Sequence, residues 1–238
     1  MSVHEVKLKA RLAVAEGTMA FRLSKPDGFV FEAGQAINLE LIDPPAEDGQ
    51  GSRTFSLVSA PFERELMVAT RMRDSAFKRT LKALPDGAGI RVDGAFGDLT
   101  LDETARPAVF IAGGIGITPF ISMLRQAAQD RSPQPLFLAY SNRRPEDAAF
   151  VDELQELERQ NRHFRLMATM TDMGKSAREW RGETGIIDAD MLKRCVGNAA
   201  APVYYVVGPP AMVEAMQGTL AAAGIAEDNI RTEEFLGY

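Results

Sequence analysis

Cysteine is nearly missing from this chain: Cys195 is the only one in 238 residues. A lone thiol excludes a disulfide framework, and it cannot hold an iron–sulfur cluster, which generally takes four thiolates, so any such centre must sit on a partner. A basic excess is lacking too. With a net charge of -6 the chain has no electrostatic footprint for nucleic acid, and no nucleic-acid partner is expected. Nor does any stretch approach the roughly 20 consecutive apolar residues of a membrane span. The N-terminal stretch from Met1 to Gly17 mixes charges with isolated apolar residues and has no apolar signal core, so the cytoplasm is the expected location. No metal site is expected.

What is present is a globular composition, 45% hydrophobic, enough for one large domain or two small ones with cores of their own. The first hundred residues alternate. Val6, Leu8 and Leu12, then Met19, Phe21 and Leu23, then Ile37, Leu39 and Leu41 fall on alternate positions, the period of half-buried strands. Gly17, Pro26-Asp27-Gly28, Ala33-Gly34 and Asp43-Pro44-Pro45 break the runs, and Ala46 to Ser52 reads as an exposed loop. Short strands follow at Thr54–Val58, Leu66–Met72 and Ile90–Val92, with a helix from Ala76 to Leu84. Closely spaced antiparallel strands predict a small barrel.

After Arg106 the period changes. Apolar runs at Val109–Ala112, Leu136–Tyr140 and Val203–Val207 alternate with amphipathic helical patterns, the signature of a parallel sheet covered by helices. Phe120, Met123, Leu124 and Ala127 mark the first helix. Phe150, Leu154 and Leu157 mark the second, with Pro145, Glu146 and Asp147 suited to its first turn, and Val213, Met216 and Leu220 mark another. The boundary falls between Asp102 and Arg106, giving units 1–104 and 105–238. Between the first run and its helix lies Gly113-Gly114-Ile115-Gly116-Ile117-Thr118-Pro119. Its glycines let backbone N–H groups approach an anion, Thr118 suits a cap and Pro119 a first helical position; a merely structural strand-to-helix turn is the other reading.

Four stretches, in one order and spanning nearly the whole chain, carry a resemblance. Arg53-Thr54-Phe55-Ser56 looks like the flavin-binding Arg-x-Tyr-Ser motif of the ferredoxin–NADP reductase superfamily, and Gly113 to Pro119 resembles its nicotinamide-nucleotide turn. Val207-Gly208-Pro209-Pro210-Ala211-Met212 resembles its Cys-Gly-Pro-Pro-x-Met segment, and Glu234-Phe235-Leu236-Gly237-Tyr238 is similar to its terminal strand. The resemblance implies an FAD-binding Greek-key barrel of antiparallel strands followed by a NAD(P)-binding α/β domain.

It also implies roles. Arg53 offers a forked cation to a flavin phosphate, and Thr54, Phe55 and Ser56 line the flavin, Ser56 at the edge where hydride arrives. A surface arginine and a serine that merely satisfies backbone are the alternatives. Phe55 departs from the family's tyrosine: its ring can pack on the flavin but lacks the phenolic hydroxyl. Thr70, Arg71 and Met72, with Ser75 capping the following helix, form a second place for the flavin phosphates. Gly114, Gly116, Thr118, Pro119, Gly208, Pro209, Pro210 and Met212 belong to the nicotinamide nucleotide. Asn142 and Arg143 lie at its adenosine end, where Arg143 and Arg144 suit a 2'-phosphate and Asp172 a ribose hydroxyl, so NADH and NADPH stay open. Val207 replaces the family's cysteine, so no thiol is assigned beside the nicotinamide, and Cys195 reads as a small core residue. Phe235 either covers the flavin or is a core residue, with Tyr238 as a second candidate, and Glu234 either relays a proton or is an exposed acid.

Arg71, Arg73, Lys78, Arg79 and Lys82, against Asp74 alone, form a local basic excess. Ordinary solvated helix charges explain it, or a docking patch for an acidic carrier such as ferredoxin or flavodoxin. The expected function is a reductase that passes electrons from NAD(P)H through FAD to a separate carrier. The alternatives are a reductase for free flavin, ferric complexes or a monooxygenase or other oxygenase partner, and a non-catalytic flavoprotein subunit or redox sensor.

Overall fold

The computed structural model describes residues 2–43, 51–102, 104 and 106–235. Pro44 and Pro45, most of the loop expected at Ala46–Ser52, and the terminal Leu236-Gly237-Tyr238 lie outside the described residues. By contacts the chain forms two compact units, Met1–Thr100 with Thr118–Gln126, and Leu101–Ile117 with Ala127–Tyr238.

In the first unit six antiparallel strands, β1 (Ser2–Ala15), β2 (Thr18–Ser24), β3 (Ala36–Leu41), β4 (Ser52–Ser56), β5 (Glu65–Arg71) and β6 (Gly89–Phe96), lie in the order β4-β3-β6-β1-β2-β5. A Leu57–Val68 bridge joins the two outer strands and closes the expected barrel. The alternation read in the sequence becomes its lining: Val6, Leu8, Phe21, Leu23, Ile37, Leu39, Ile90 and Val92 are all buried in one cluster. Beneath it sits α1 (Ala76–Ala83), which buries Phe77 and Leu81, one turn apart, against that cluster. Both ends of α1 are held. Ser75 Oγ accepts from Lys78 N at 3.3 Å, a cap worth about 1 kcal/mol. Arg11 of β1 donates to the carbonyls of Lys82 and Leu84 and to Asp86.

In the second unit β7 (Ala108–Gly113), β8 (Leu136–Asn142), β9 (Phe164–Met170), β10 (Glu183–Thr184), β11 (Val203–Gly208) and β12 (Ile230–Glu234) make a parallel sheet in the order β10-β9-β8-β7-β11-β12. The helices are α2 (Thr118–Gln129), α3 (Val151–Gln160), α4 (Ala189–Val196) and α5 (Pro210–Ala222). From β7 the chain winds outward to β10 and then returns to the other side of β7 with β11. Strand order therefore reverses between β7 and β11, which opens a crevice at their carboxyl ends.

Three local readings are revised. Pro145–Asp147 form a separate 3-10 turn rather than the start of α3, which begins after Phe150 in the left-handed region at φ 61°. Asp147 is drawn back onto Arg144, and Tyr140 donates to the Ala149 carbonyl at 3.1 Å, so the chain cannot wind on as one helix. The last strand begins at Ile230 and ends at Glu234, where the sequence similarity places its start. The first nine residues of α2 cluster with the barrel rather than with the parallel sheet. Ser122 donates to Ser59 O at 2.7 Å, and Arg125 reaches Val58 O and Glu63, tying the helix to the segment that follows β4.

Candidate functional site

The motif strand β4 presents two faces. Arg53 and Phe55, two residues apart, share Phe77 of α1: the guanidinium lies 5.5 Å from that ring centroid and the Phe55 ring 6.0 Å from it. Thr54 faces the other way and donates to Asn38 Oδ1 at 2.6 Å. Ser56 closes the strand only 4% exposed, and its hydroxyl has no hydrogen-bond partner. The alternative of a serine satisfying backbone is therefore set aside. A buried hydroxyl left unpaired costs about 1–3 kcal/mol until something supplies a partner.

Around the start of α1 the cations crowd. Lys78 is half-buried, donates to Arg71 O at 2.7 Å, and has its pKa lowered by burial and then by the charges of Arg73 and Arg53. Three like charges held beside a capped helix N-terminus are relieved by an anion, since each favours a negative charge placed among them. Thr70 is buried, with its hydroxyl on Arg71 O at 3.3 Å, and Met72 packs on the barrel core with its N–H on Gly17 O. The basic run expected as one patch is thus divided. Lys78 turns inward onto Arg71 O, Arg79 pairs with Asp74, and Arg73 and Lys82 stay exposed.

In the second unit the glycines meet at the strand-order reversal. A Cβ on Gly116 would strike the Val207 carbonyl oxygen and lie 2.7 Å from its carbon, and one on Gly208 would lie 3.2 Å from Gly113 N and Cα. A Cβ on Gly113 would strike Met212 Sδ and sit 2.9 Å from Pro209. The turn after β7 and the turn after β11 interlock most tightly at Gly116, where an added Cβ meets the Val207 backbone, while Gly114 takes the left-handed φ of 52° that the turn needs. The helical path starts at Gly114 as a 3-10 turn and continues into α2. Thr118 is consequently the first residue of α2 rather than a cap, and it and Pro119 are buried. Pro210 opens α5 with Pro209 before it, as the sequence anticipated.

The chain end joins this crevice. Phe235 N donates to Gly208 O at 3.0 Å, which sets a half-buried Phe235 beside the Gly208-Pro209 turn, with Glu234 exposed. The sequence reading passed over Glu233, paired with Val207, whose carboxyl burial pushes its pKa up. Only strand alternation could have separated it from its neighbour. Cys195 is buried in α4 with its thiol pushed up to about 11 by burial, so it stays protonated and unreactive. At the end of β8, Asn142 is 5% exposed with Nδ2 unpartnered. Arg143 is exposed, and Arg144 is committed to Asp147 through two hydrogen bonds of 3.0 Å.

Residues 110–218 match the model of the oxidoreductase NAD-binding domain. The chain is 30% identical over 229 residues to ferredoxin–NADP reductase B of Sorangium cellulosum, covering 91% of this chain and 90% of that one. It is 28% identical to the reductase component of propane 2-monooxygenase of Rhodococcus jostii, covering 89% of this chain but 57% of that protein. A ferredoxin NADP+ reductase from Neisseria gonorrhoeae, solved with bound FAD and NADP, matches with a TM-score of 0.81 at 25% identity, over 98% of this chain and 99% of that one. No helix among the described residues is long and apolar enough to cross a membrane. With the barrel motif, the interlocked glycine turns and a relative matched over 90% of its length, the chain belongs to the ferredoxin–NADP reductase superfamily and is an FAD-containing, NAD(P)H-dependent oxidoreductase.

Proposed function

We propose that the protein carries electrons from NAD(P)H through FAD to a separate acidic carrier protein of the ferredoxin or flavodoxin kind. The observation that carries this reading is the Ser56 hydroxyl, buried and unpartnered at the end of the strand that bears the flavin motif. An orphan of that kind fits a cofactor with a polar edge, and the cations around α1 fit its phosphates. Bound FAD supplies the redox chemistry, accepting hydride and releasing electrons.

The protein's residues do the rest. Arg53, Arg73 and Lys78 neutralise the flavin phosphates beside the N-terminus of α1, whose frame Ser75 and Arg11 keep in place. Phe55 offers a ring to the flavin but no hydroxyl. Ser56 would make a hydrogen bond at the reacting edge. Thr118, Pro119 and the interlocked glycines place the nicotinamide half of the dinucleotide, and Met212 supports the floor of their turn. No thiol takes part, because Val207 occupies the position before Gly208 and Cys195 is buried elsewhere. The direct test is the visible spectrum of the purified protein without oxygen. A yellow protein bleached by NADH or NADPH is expected; one that stays yellow with both would support the non-catalytic subunit instead.

Arg73, Arg79 and Lys82 are the exposed charges of the basic stretch, and Arg79 and Lys82, farther along α1 from its N-terminus, mark the carrier's docking face. Reversing both to glutamate lowers the rate of reduction of an acidic carrier by about tenfold at low salt, since complementary charge acts mainly on encounter. Reduction of a small neutral quinone stays the same, and equal loss with both acceptors would remove the docking face. The name of the Rhodococcus jostii relative favours a second acceptor, an oxygenase component, for which the same reversal applies.

A further inference from the structure

We propose that Ser122 is a positioning residue for hydride transfer, which acts through the Ser59 carbonyl, together with Arg125, to fix the start of α2 against the segment that leaves the flavin-motif strand. This rests on reading Gly113 to Pro119 as the nicotinamide turn and Ser56 as the residue at the flavin edge, and it names what holds the two in register.

The helix supplies one side of the joint. Thr118, Ser122 and Arg125 stand at i, i+4 and i+7 of α2 and so share one face of it. Phe120, Met123 and Leu124 provide apolar packing, yet Ser122 among them is a hydroxyl with 0% exposure. A polar group taken wholly out of water is costly unless it is hydrogen-bonded. Ser122 meets that cost with one bond, donating at 2.7 Å to the carbonyl of Ser59, a residue 63 positions away.

The other side is fixed residue by residue. After Ser56, Leu57 N donates to Gln35 O at 2.9 Å, Val58 N to Met67 O at 2.7 Å, and Ser59 Oγ accepts from Met67 N at 3.0 Å. The carbonyls of this segment turn to α2: Ser59 O takes Ser122, and Val58 O takes Arg125 at 3.3 Å. Arg125 also meets Glu63 Oε1 at 3.2 Å, and that same oxygen accepts from Ala60 N at 2.7 Å. Met123 is wedged in beside Gly34, where an added Cβ would strike its Cε, next to the Gln35 carbonyl that holds Leu57.

Ser56 and α2 as far as Gln126 belong to one compact unit, so the separation of Thr118 from Ser56 is set by contacts inside that unit. Ser122 lies about one helical turn from Thr118, and Ser59 follows closely on Ser56. Hydride transfer asks for reacting atoms held about 3–3.5 Å apart, and a misplacement of about 1 Å costs about a hundredfold in rate. Loss of the Ser122 link lets the helix start shift by part of that distance, since Arg125 still holds it one turn further on.

The test follows flavin reduction in the FAD-loaded protein by stopped flow, with saturating NADH and with saturating NADPH. Calorimetric binding of NAD+ and NADP+ and hydrogen exchange of the amides in α2 and residues 57–63 are measured alongside. Ser122→Ala is expected to lower the rate constant for reduction about tenfold, to leave nucleotide affinity within about twofold, and to speed exchange in both segments. Arg125→Met keeps the apolar stem and lowers the rate constant about threefold. Tyr140→Phe is the control: it too removes a hydroxyl that donates to a buried carbonyl, that of Ala149 at 3.1 Å, but one that touches neither segment. It is expected to lower the urea midpoint as Ser122→Ala does and to keep the native rate constant. A merely structural serine would lower the urea midpoint and the amplitude of reduction but not its rate constant, and that result in Ser122→Ala overturns the proposal, as does equal slowing in Tyr140→Phe. If Ser122→Ala does not fold, a native rate constant in Arg125→Met overturns it instead. If neither nucleotide reduces the flavin of the native protein, the NAD(P)H reading fails, and the positioning role with it.

Discussion

Replacing Gly116 with alanine slows nucleotide-driven reduction of the flavin by about a hundredfold while the protein keeps its yellow colour. The added methyl would collide with the Val207 carbonyl, and it meets backbone there rather than the end of a flexible side chain. Val207 cannot swing aside, because it sits in the ladder between β7 and β12, paired with Ala112 on one side and Glu233 on the other. The turn must move instead, and it is the turn proposed to hold the dinucleotide. Overpacking of this kind costs about 1–3 kcal/mol of stability, and a displacement of about 1 Å at a positioning element costs about a hundredfold in rate. Anaerobic NADH titration and urea unfolding read the two effects separately. Gly218→Ala is the control: that glycine lies in α5 with nothing within 4 Å of the added carbon, and the change is expected to stabilise by up to about 1 kcal/mol. Equal rates of flavin reduction in the native protein and Gly116→Ala would show that the interlocked turns are packing alone.

Ser56→Ala gives the opposite pattern, with stability untouched and chemistry lost. The hydroxyl makes no hydrogen bond within the protein, so its removal takes away no internal contact and relieves a buried polar group of its desolvation. Urea unfolding of the flavin-free protein is therefore expected to be unchanged or slightly improved. Hydride transfer, followed as bleaching in a stopped-flow experiment, falls by about a hundredfold, the usual loss on removing one polar group that aids the reacting atoms. Destabilisation with unchanged bleaching would make Ser56 a structural residue. Ser56→Thr keeps a hydroxyl and restores part of the rate if its methyl group can be accommodated.

These two residues illustrate how unevenly the site could be read beforehand. Gly116 was legible as part of a phosphate turn. The neighbour that demands a glycine, Val207, lies far along the chain and on another strand, so the reason could not be read from the turn itself. Ser56 was legible by its place in a motif, yet its want of a partner is a property of its surroundings. Lys78 went the other way: in the sequence it was one of five basic residues on a candidate docking face, and in the fold it bends in to Arg71 O, where the charges of Arg73 and Arg53 act on it.

The sequence by itself determined the two architectures. Alternation of apolar residues has a period of two only where one face of a strand meets a core, and the change after Arg106 to solid apolar runs between amphipathic helices follows when both faces of a sheet are covered. It determined the motif positions for the same local reasons, since glycine, proline and capping residues act within a few bonds. The tertiary structure alone decided which groups those positions face. Strand order set β11 beside β7, and so brought Gly208 against Gly113 and Val207 against Gly116. Pairing beyond the ends of β8 and β9 set Asp172 beside Arg143 and Asn142. Burial left Ser56 and Asn142 without partners. Contacts between residues distant in the chain depend on how whole elements pack, and no local pattern of side chains encodes that.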